Sequence, residues 1–432
     1  MAIPKKKKKN RVCVIGLDGV PFGLIQELAR TGVMSTLSRI IDSGHLHKMK
    51  ASLPEISAVS WTDFMTGTNS GNHGIFGFTD FKPKSYEVRY PNFGDVKAPT
   101  IWDTLGKMGL RSIVINQPST YPAREIEGVL ISGFVAVDLA KAVWPRSLKD
   151  PLEKAGYQID IDTLKARENA GFLWQELIKT FMGWQKALNM FWEEPWDYFE
   201  FVLTGTDRLH HFLWNAVVHP GHPHHQNVLE YYRQIDRLIY KIWTTFRKTP
   251  GDEEYIFFLS DHGFTGIIQE VYLNAWLEKE RFLKFSKPFP SGLEDISPKT
   301  VAFALDPNRI YLNSKSRFPR GTVLAREAKA LKAEIARRLE KLEFDGRKVV
   351  RKVWDGREVY DGPLASQGPD LIVLGEPGFD MKGSVKRREV FGRSPGLQGM
   401  HTWDDAFFLS KNDFGPDLAI KDAAKIILDR FL

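Results

Sequence analysis

Short, wholly apolar runs alternate with longer amphipathic stretches from Val12 to Leu259. Val12 to Leu17 (Val-Cys-Val-Ile-Gly-Leu) carries no polar side chain and stops at Asp18-Gly19, the pattern of a strand buried on both faces. Gly23 to Ile41 has helical periodicity until Gly44 ends it. A helix over Ile101 to Met108 closes at Gly109; Ser112 to Asn116 reads as the next strand, with Pro118 and Pro122 in the loop beyond. Residues 172–193 predict a long aromatic-rich helix, Tyr198 to Leu203 a buried strand, Leu229 to Phe246 an amphipathic helix, and Tyr255 to Leu259 another strand. Strands alternating with helices in this way predict an α/β fold with a doubly wound, mostly parallel central sheet flanked by helices.

The pattern changes after Phe264. Tyr272-Leu273-Asn274, Tyr311-Leu312-Asn313 and Asp370 to Leu374 read as short strands, while Leu331, Ile335, Leu339 and Leu342 form the apolar stripe of a charged helix. A Gly-rich, basic stretch, Gly375 to Gly399, then leads the chain back. The expected organisation is a basic disordered tail at 1–10, a main α/β domain from 11–270 plus 395–432, and a smaller inserted α+β lobe at 271–394. The histidines at 219, 222, 224 and 225 lie in a Pro/Gly-interrupted segment and read as a solvated loop rather than a metal site.

The 432 residues, 43% apolar and 12% aromatic, suffice for a substantial core and exclude a disordered or fibrous chain. The formal charge of +7 is mostly the run Lys5 to Lys9, so the rest is close to neutral, and no nucleic-acid-binding motif accompanies the lysines. No apolar stretch suits a secretory signal or a membrane span, which predicts a cytoplasmic protein. Nothing fixes an oligomeric state. Cys13 is the single cysteine; it excludes an intrachain disulfide and a thiolate metal cluster, and its place in a buried strand makes it a core residue.

Candidate chemistry clusters at the predicted strand ends. Asp207 and His211 are four apart on a helix and so share one face. Asp261 and His262 emerge together beyond the strand that ends at Leu259, and Asp18 does so beyond Leu17, at the carboxyl ends where open α/β sheets build their sites. Pro54-Glu55-Ile56-Ser57-Ala58-Val59-Ser60-Trp61 is followed by Thr66-Gly67 and by Gly71-Asn72-His73-Gly74-Ile75.

With these motifs in this order the chain resembles the alkaline phosphatase superfamily, most closely its type I phosphodiesterase and nucleotide pyrophosphatase branch. The resemblance runs from residue 18 to residue 401. It implies Ser57 as nucleophile, nine residues before Thr66, with Asp207, His211 and His401 holding one metal ion and Asp18, Asp261, His262 and Ser57 a second. Two divalent cations are implied, zinc best suited to Asp/His ligation and manganese or iron also compatible. The function implied is cleavage of a phosphodiester or nucleotide pyrophosphate through a phosphoseryl intermediate, on a small-molecule phosphate ester or nucleotide. The alternatives are a phosphomonoesterase or mutase-like phosphotransferase on the same centre, and a noncatalytic binder of phosphorylated ligands.

The chain also departs from that branch. Ser60 stands where an Asn commonly holds a nonbridging phosphate oxygen; its hydroxyl can donate one weaker bond. Ser57-Ala58-Val59-Ser60-Trp61 lacks the Pro and Arg that sulfatases need. His73 is expected to support the nucleophile loop from outside the metal ligands. Trp61, Phe76, Phe78 and Phe81 suit core packing more than substrate stacking, and Arg208 and His210 are expected to point away from the Asp207–His211 face. The inserted lobe is expected to overhang the site and select the leaving group, with Lys386, Arg387 and Arg388 as a solvated charge run.

Overall fold

Val12–Leu17 is a strand with all six residues buried, and its side chains part by period two. Cys13, Ile15 and Leu17 enter one apolar cluster, shared with the helices Phe22–Arg30, Ala170–Trp192, Gly205–Val218 and His225–Phe246. Val12 and Val14 enter another, shared with the helices Ser57–Thr66, Ile101–Lys107 and Ile420–Leu428. The sheet is thus covered by helices on both faces. The computed structural model describes residues 11–248 and 252–431, and the expected basic tail lies outside them.

The main sheet has nine strands, in the order Leu418–Ala419, His45–Lys50, Ala406–Ser410, Ile256–Leu259, Val12–Leu17, Tyr198–Leu203, Ser112–Gln117, Gly128–Ser132 and Val143–Trp144. The strands from Ile256–Leu259 across to Gly128–Ser132 are parallel to one another, whereas Ala406–Ser410 runs antiparallel to both its neighbours. The α/β expectation holds, with a mixed rather than uniform sheet.

Two local expectations need correction. The helix expected over Gly23 to Ile41 is two, Phe22–Arg30 and Ser35–Asp42, parted at Gly32, whose φ of +75° no helix accepts. The second is capped from a distance, for both oxygens of Asp236 accept from the Thr36 and Leu37 amides at 2.9 and 3.0 Å. Tyr272-Leu273-Asn274 is a strand only to Tyr272; Leu273–Lys279 is a helix, whose Asn274 side chain exchanges two hydrogen bonds with the Ala304 backbone.

Residues from Val271 to Val390 form their own apolar cluster around the four-stranded antiparallel sheet Ala302–Leu305, Arg309–Leu312, Leu371–Gly375 and Val350–Asp355. The helix Ala325–Leu339 closes it with Ile335 and Leu339. Phe81 and Tyr86 join the same cluster from a short hairpin far earlier in the chain, Tyr86 stacking on Phe318 and the other contacts with Phe303 and Phe318 being edge-on.

Glu200 is an acid inside the main sheet. Wholly buried on the strand Tyr198–Leu203, it has the Tyr198 hydroxyl as one partner at 2.5 Å, and burial pushes its carboxyl up to about 8. The folded protein therefore holds a proton there that the unfolded chain releases above its ordinary value of 4.5. This stabilisation is full below that value and fades as pH rises through about 8, at a slope of up to about 1.4 kcal/mol per pH unit. Urea unfolding across that window should show wild type losing stability relative to Glu200→Gln, with the two curves parallel above it.

Candidate active site

Strand register brings the separate carboxylates together. In the parallel trio Leu17 lies opposite Leu203, and Gly16 opposite Leu259, so the segments beyond residues 17, 203 and 259 leave the sheet side by side. Asp18 follows the first, and its amide donates to the Leu203 carbonyl. Asp207 and His211 lie on the helix that follows the second, and Asp261-His262 follows the third after Ser260. Gly19, at φ +66°, makes the turn that lets its own amide donate to Asp261 Oδ1 at 3.1 Å. His401 arrives on Gly399–Thr402, which pairs antiparallel with Gly263–Gly266.

Two groups of ligand-capable atoms result: Asp207, His211 and His401; and Asp18, Asp261 and His262, the atoms of each within 4.8 Å of one another. The groups adjoin, since the His262 and His401 rings stack with centroids 3.6 Å apart. All three histidines are held in one tautomer, because Nδ1–H donates to a backbone carbonyl in each: His211 to Gly399, His262 to Gly263 and His401 to Glu55. Their Nε2 lone pairs therefore face inward. His211 and His401 Nε2 are 3.0 Å apart, and Asp207 Oδ1 is 3.4 and 3.3 Å from them. Asp207 Oδ1 and Asp261 Oδ2 are buried and accept no hydrogen bond.

The electrostatics follow from burial and crowding. Burial, then the neighbouring Asp261 and Asp207 carboxylates, push Asp18 well above the usual carboxylate range. Asp261 is pushed to about 7, chiefly by burial. Burial also raises Asp207, but His211, His401 and Arg208 outweigh it and hold that carboxyl well below its ordinary value. Burial lowers His211 to about 3 and His262 well below its ordinary value, whereas Asp207 and Asp261 overcome burial at His401 and raise it. Converging lone pairs, orphaned carboxylate oxygens and mutually repelling buried anions fit a site for divalent cations with oxygen and nitrogen preference.

Ser57 is the first residue of the helix Ser57–Thr66 and faces the second group. Its hydroxyl donates to His262 Nε2 at 3.1 Å and lies 3.5 Å from Asp18 Oδ1. A helix amino terminus favours negative charge at such a position. The structure thus gathers Asp18, Ser57, Asp207, His211, Asp261, His262 and His401 into one site. Ser60, one turn on, is wholly buried, and its Oγ accepts from the Ser52 amide at 3.3 Å.

The surroundings sort the remaining candidates. His73 Nε2–H donates to Asp63 at 2.6 Å, and Asp63 also accepts from Ser52, so His73 braces the helix Ser57–Thr66 at Asp63, which in turn ties it to the segment before its first turn. Trp61 is buried with its indole N–H on Asp18 Oδ2 at 3.1 Å; Phe76 packs on Tyr360, and Phe81 belongs to the second core. Phe78 stays half-exposed, against Ile56, Ala58 and Val59 and edge-on to Phe134. His210 points away as expected, its Nδ1–H on the Gly19 carbonyl and its Nε2 accepting from Tyr232. Arg208 does not: its Nη1 reaches back to Asp207 Oδ2 at 2.8 Å, because the flexible side chain curls around the helix. Of the outlying histidines, His225 opens a helix with Nδ1–H on the Ala216 carbonyl. Lys386, Arg387 and Arg388 are exposed.

Sequence reasoning missed Asp160, which pairs with Arg208; Phe264, whose ring contacts those of His211, His262 and His401; and the three carbonyls that orient the histidines. Carbonyls leave no trace in residue type. A tyrosine- or phenylalanine-sized side chain right after Asp-His-Gly was the one available signal.

Residues 12–404 match the family model for type I phosphodiesterase / nucleotide pyrophosphatase. None of the curated proteins matches the chain. Among solved structures, phosphonoacetate hydrolase from Sinorhizobium meliloti 1021 in complex with phosphonoacetate is similar with a TM-score of 0.67 and 18% identity, over 98% of this chain and 96% of that one. Murine ectonucleotide pyrophosphatase / phosphodiesterase 5, in complex with AMP, is similar with a TM-score of 0.55 and 13% identity, over 98% and 95%. At those identities the two share a fold with this chain, and the family assignment comes from the match along almost all of the sequence: the chain belongs to the type I phosphodiesterase / nucleotide pyrophosphatase family and is a hydrolase of phosphoric esters.

Proposed function

We propose that the chain cleaves phosphodiester or nucleotide pyrophosphate bonds through a covalent phosphoseryl intermediate on Ser57. The observation that carries this is the Ser57 hydroxyl, donated to His262 beside two adjoining Asp/His groups. Asp207, His211 and His401 would hold one divalent cation, and Asp18, Asp261, His262 and Ser57 a second, with zinc suited to the donor set. Bound there, such ions lower the pKa of a coordinated hydroxyl or water and offset charge on the phosphate oxygens.

The protein supplies orientation. The helix start holds Ser57 beside the Asp18 and His262 donor atoms, in place for attack at phosphorus, while His73 and Asp63 keep that helix in place. Attack forms the Ser57 Oγ–P bond and breaks the bond to the departing alkoxide or phosphate; water then cleaves Oγ–P and restores the serine. Ser60, on the same helix face, retains an O–H to donate. Phe78 and Phe134 would flank the approach, and the residues from 271 to 394 would shape the leaving-group side. Arg208, the guanidinium that reaches the cluster, is already engaged by Asp160 and Asp207, so it offers a phosphate dianion no spare charge; this favours the diester over the monoester.

Ser57→Ala should lose at least about a thousandfold in kcat on bis-p-nitrophenyl phosphate while keeping its metal content, and wild type acid-quenched during turnover of that diester should carry a p-nitrophenyl phosphoryl group on Ser57 by mass spectrometry. Unchanged turnover in the variant removes Ser57 as nucleophile, and a strong preference for p-nitrophenyl phosphate removes the diester reading. Chelator-stripped protein should unfold at lower temperature than protein with zinc, the bound form being more stable by about 2.7 kcal/mol for each site at a hundredfold excess over Kd. Asp261→Asn and His211→Ala should each shrink that difference; a midpoint insensitive to zinc, manganese and iron would end the metal assignment.

A further inference from the structure

Arg208 is buried beside the site with its guanidinium fixed on three sides. Nε and Nη2 fork onto Asp160 at 2.7 to 3.1 Å, Nη1 donates to Asp207 Oδ2 at 2.8 Å, and the guanidinium lies 4.1 Å from the centre of the Phe134 ring. The partner left to each oxygen of Asp207 differs sharply. Oδ2 is tied to Arg208, while Oδ1 accepts no hydrogen bond and stands beside the inward Nε2 atoms of His211 and His401.

From this division we infer that Arg208 is a positioning residue, which holds Asp207 in the one orientation that offers a single oxygen to a cation shared with His211 and His401. The inference rests on the metal assignment proposed above. A carboxylate free to rotate presents one oxygen or both to a cation, and the choice changes coordination number and affinity. A planar fork anchored by Asp160 and the Phe134 face removes that freedom, and a lysine, with a single point charge on a flexible stem, does not reproduce it. Charge gives the same answer. Asp160 matches the guanidinium charge, so Arg208 orients Asp207 without cancelling the negative charge a cation needs.

The anchors come from outside the ligand motifs. Phe134 lies just beyond the strand Gly128–Ser132, Asp160 precedes the helix Thr163–Glu168, and Phe134 in turn meets Phe78 near the nucleophile helix. Arg208 therefore links the cation group on the helix Gly205–Val218 to the wall beside Ser57. A merely structural ion pair would predict a different outcome: loss of stability with metal binding intact in whatever protein folds.

Full-length wild type, Arg208→Lys and Asp160→Asn, stripped of metal, would be titrated with zinc against a chromophoric chelator, and their cobalt(II) forms recorded in the visible range. Arg208→Lys should bind its weaker zinc equivalent about 10- to 100-fold less tightly, with a cobalt band of lower intensity as Asp207 engages through both oxygens. Asp160→Asn should show the same change in smaller measure, and it carries the test if the lysine variant does not fold. Wild-type zinc affinity and an unaltered cobalt spectrum in the folded variants, whatever their melting temperatures, would overturn the positioning role. Wild type that takes up no cation would instead overturn the metal assignment, leaving the two failures distinguishable.

Discussion

Three carboxylates, Asp18, Asp207 and Asp261, are buried within reach of one another at the end of a parallel sheet, and the rest of the site is arranged around that repulsion. Burying one uncompensated carboxylate costs several kcal/mol, and proximity multiplies the cost. Hydrogen bonds relieve part of it: Gly19 serves one oxygen of Asp261, Trp61 one of Asp18, and Arg208 one of Asp207. In each carboxylate the other oxygen faces the cluster, with the Nε2 lone pairs of the histidines turned the same way. Within the protein alone, bound protons relieve the rest, as the raised Asp18, Asp261 and His401 describe. Cations in the same place would relieve the repulsion without neutralising the donors.

The sheet pays for this arrangement through its apolar registers. Strands that bury both faces are mostly apolar along their length, Glu200 being an exception, so polar side chains gather just past where each strand stops, and parallel pairing makes those stops coincide. Asp18, Asp207 and Asp261 neighbour one another for that reason. His401 needs a different device, since it sits more than a hundred residues beyond Asp261 in sequence; the antiparallel pairing of Gly399–Thr402 with Gly263–Gly266 places it opposite Phe264.

How much was legible in the sequence follows from the same physics. The runs at Val12 to Leu17, Tyr198 to Leu203 and Tyr255 to Leu259 show as strands because burial on both faces disfavours polar residues, with Glu200 the one acid among them, and the site residues show because each is a distinct chemical type at a strand end or helix step. His45–Lys50 is a main-sheet strand written His-Leu-His-Lys-Met-Lys, half of it in solvent, and no apolar run reveals it. The split at Gly32 depends on one backbone angle and on Asp236, some two hundred residues away. Arg208 was misjudged because helical position tells where a Cβ points, and a long side chain ends elsewhere. Phe81 in the second core is a tertiary fact that no local period encodes.

Charge bookkeeping connects the geometry to the kind of ester. Arg208 and Asp160 form a closed pair, so the cluster itself carries the three aspartates, and the histidines, neutral with Nδ1–H on carbonyls, add none. Two dications would exceed that negative charge by a single unit. A diester monoanion makes up the difference, whereas a monoester dianion leaves the buried centre negative unless another cationic group comes to it. The clamp that points Asp207 inward would thus also withhold Arg208 from the phosphate, and the proposed preference for the less charged ester rests on where that one guanidinium is committed.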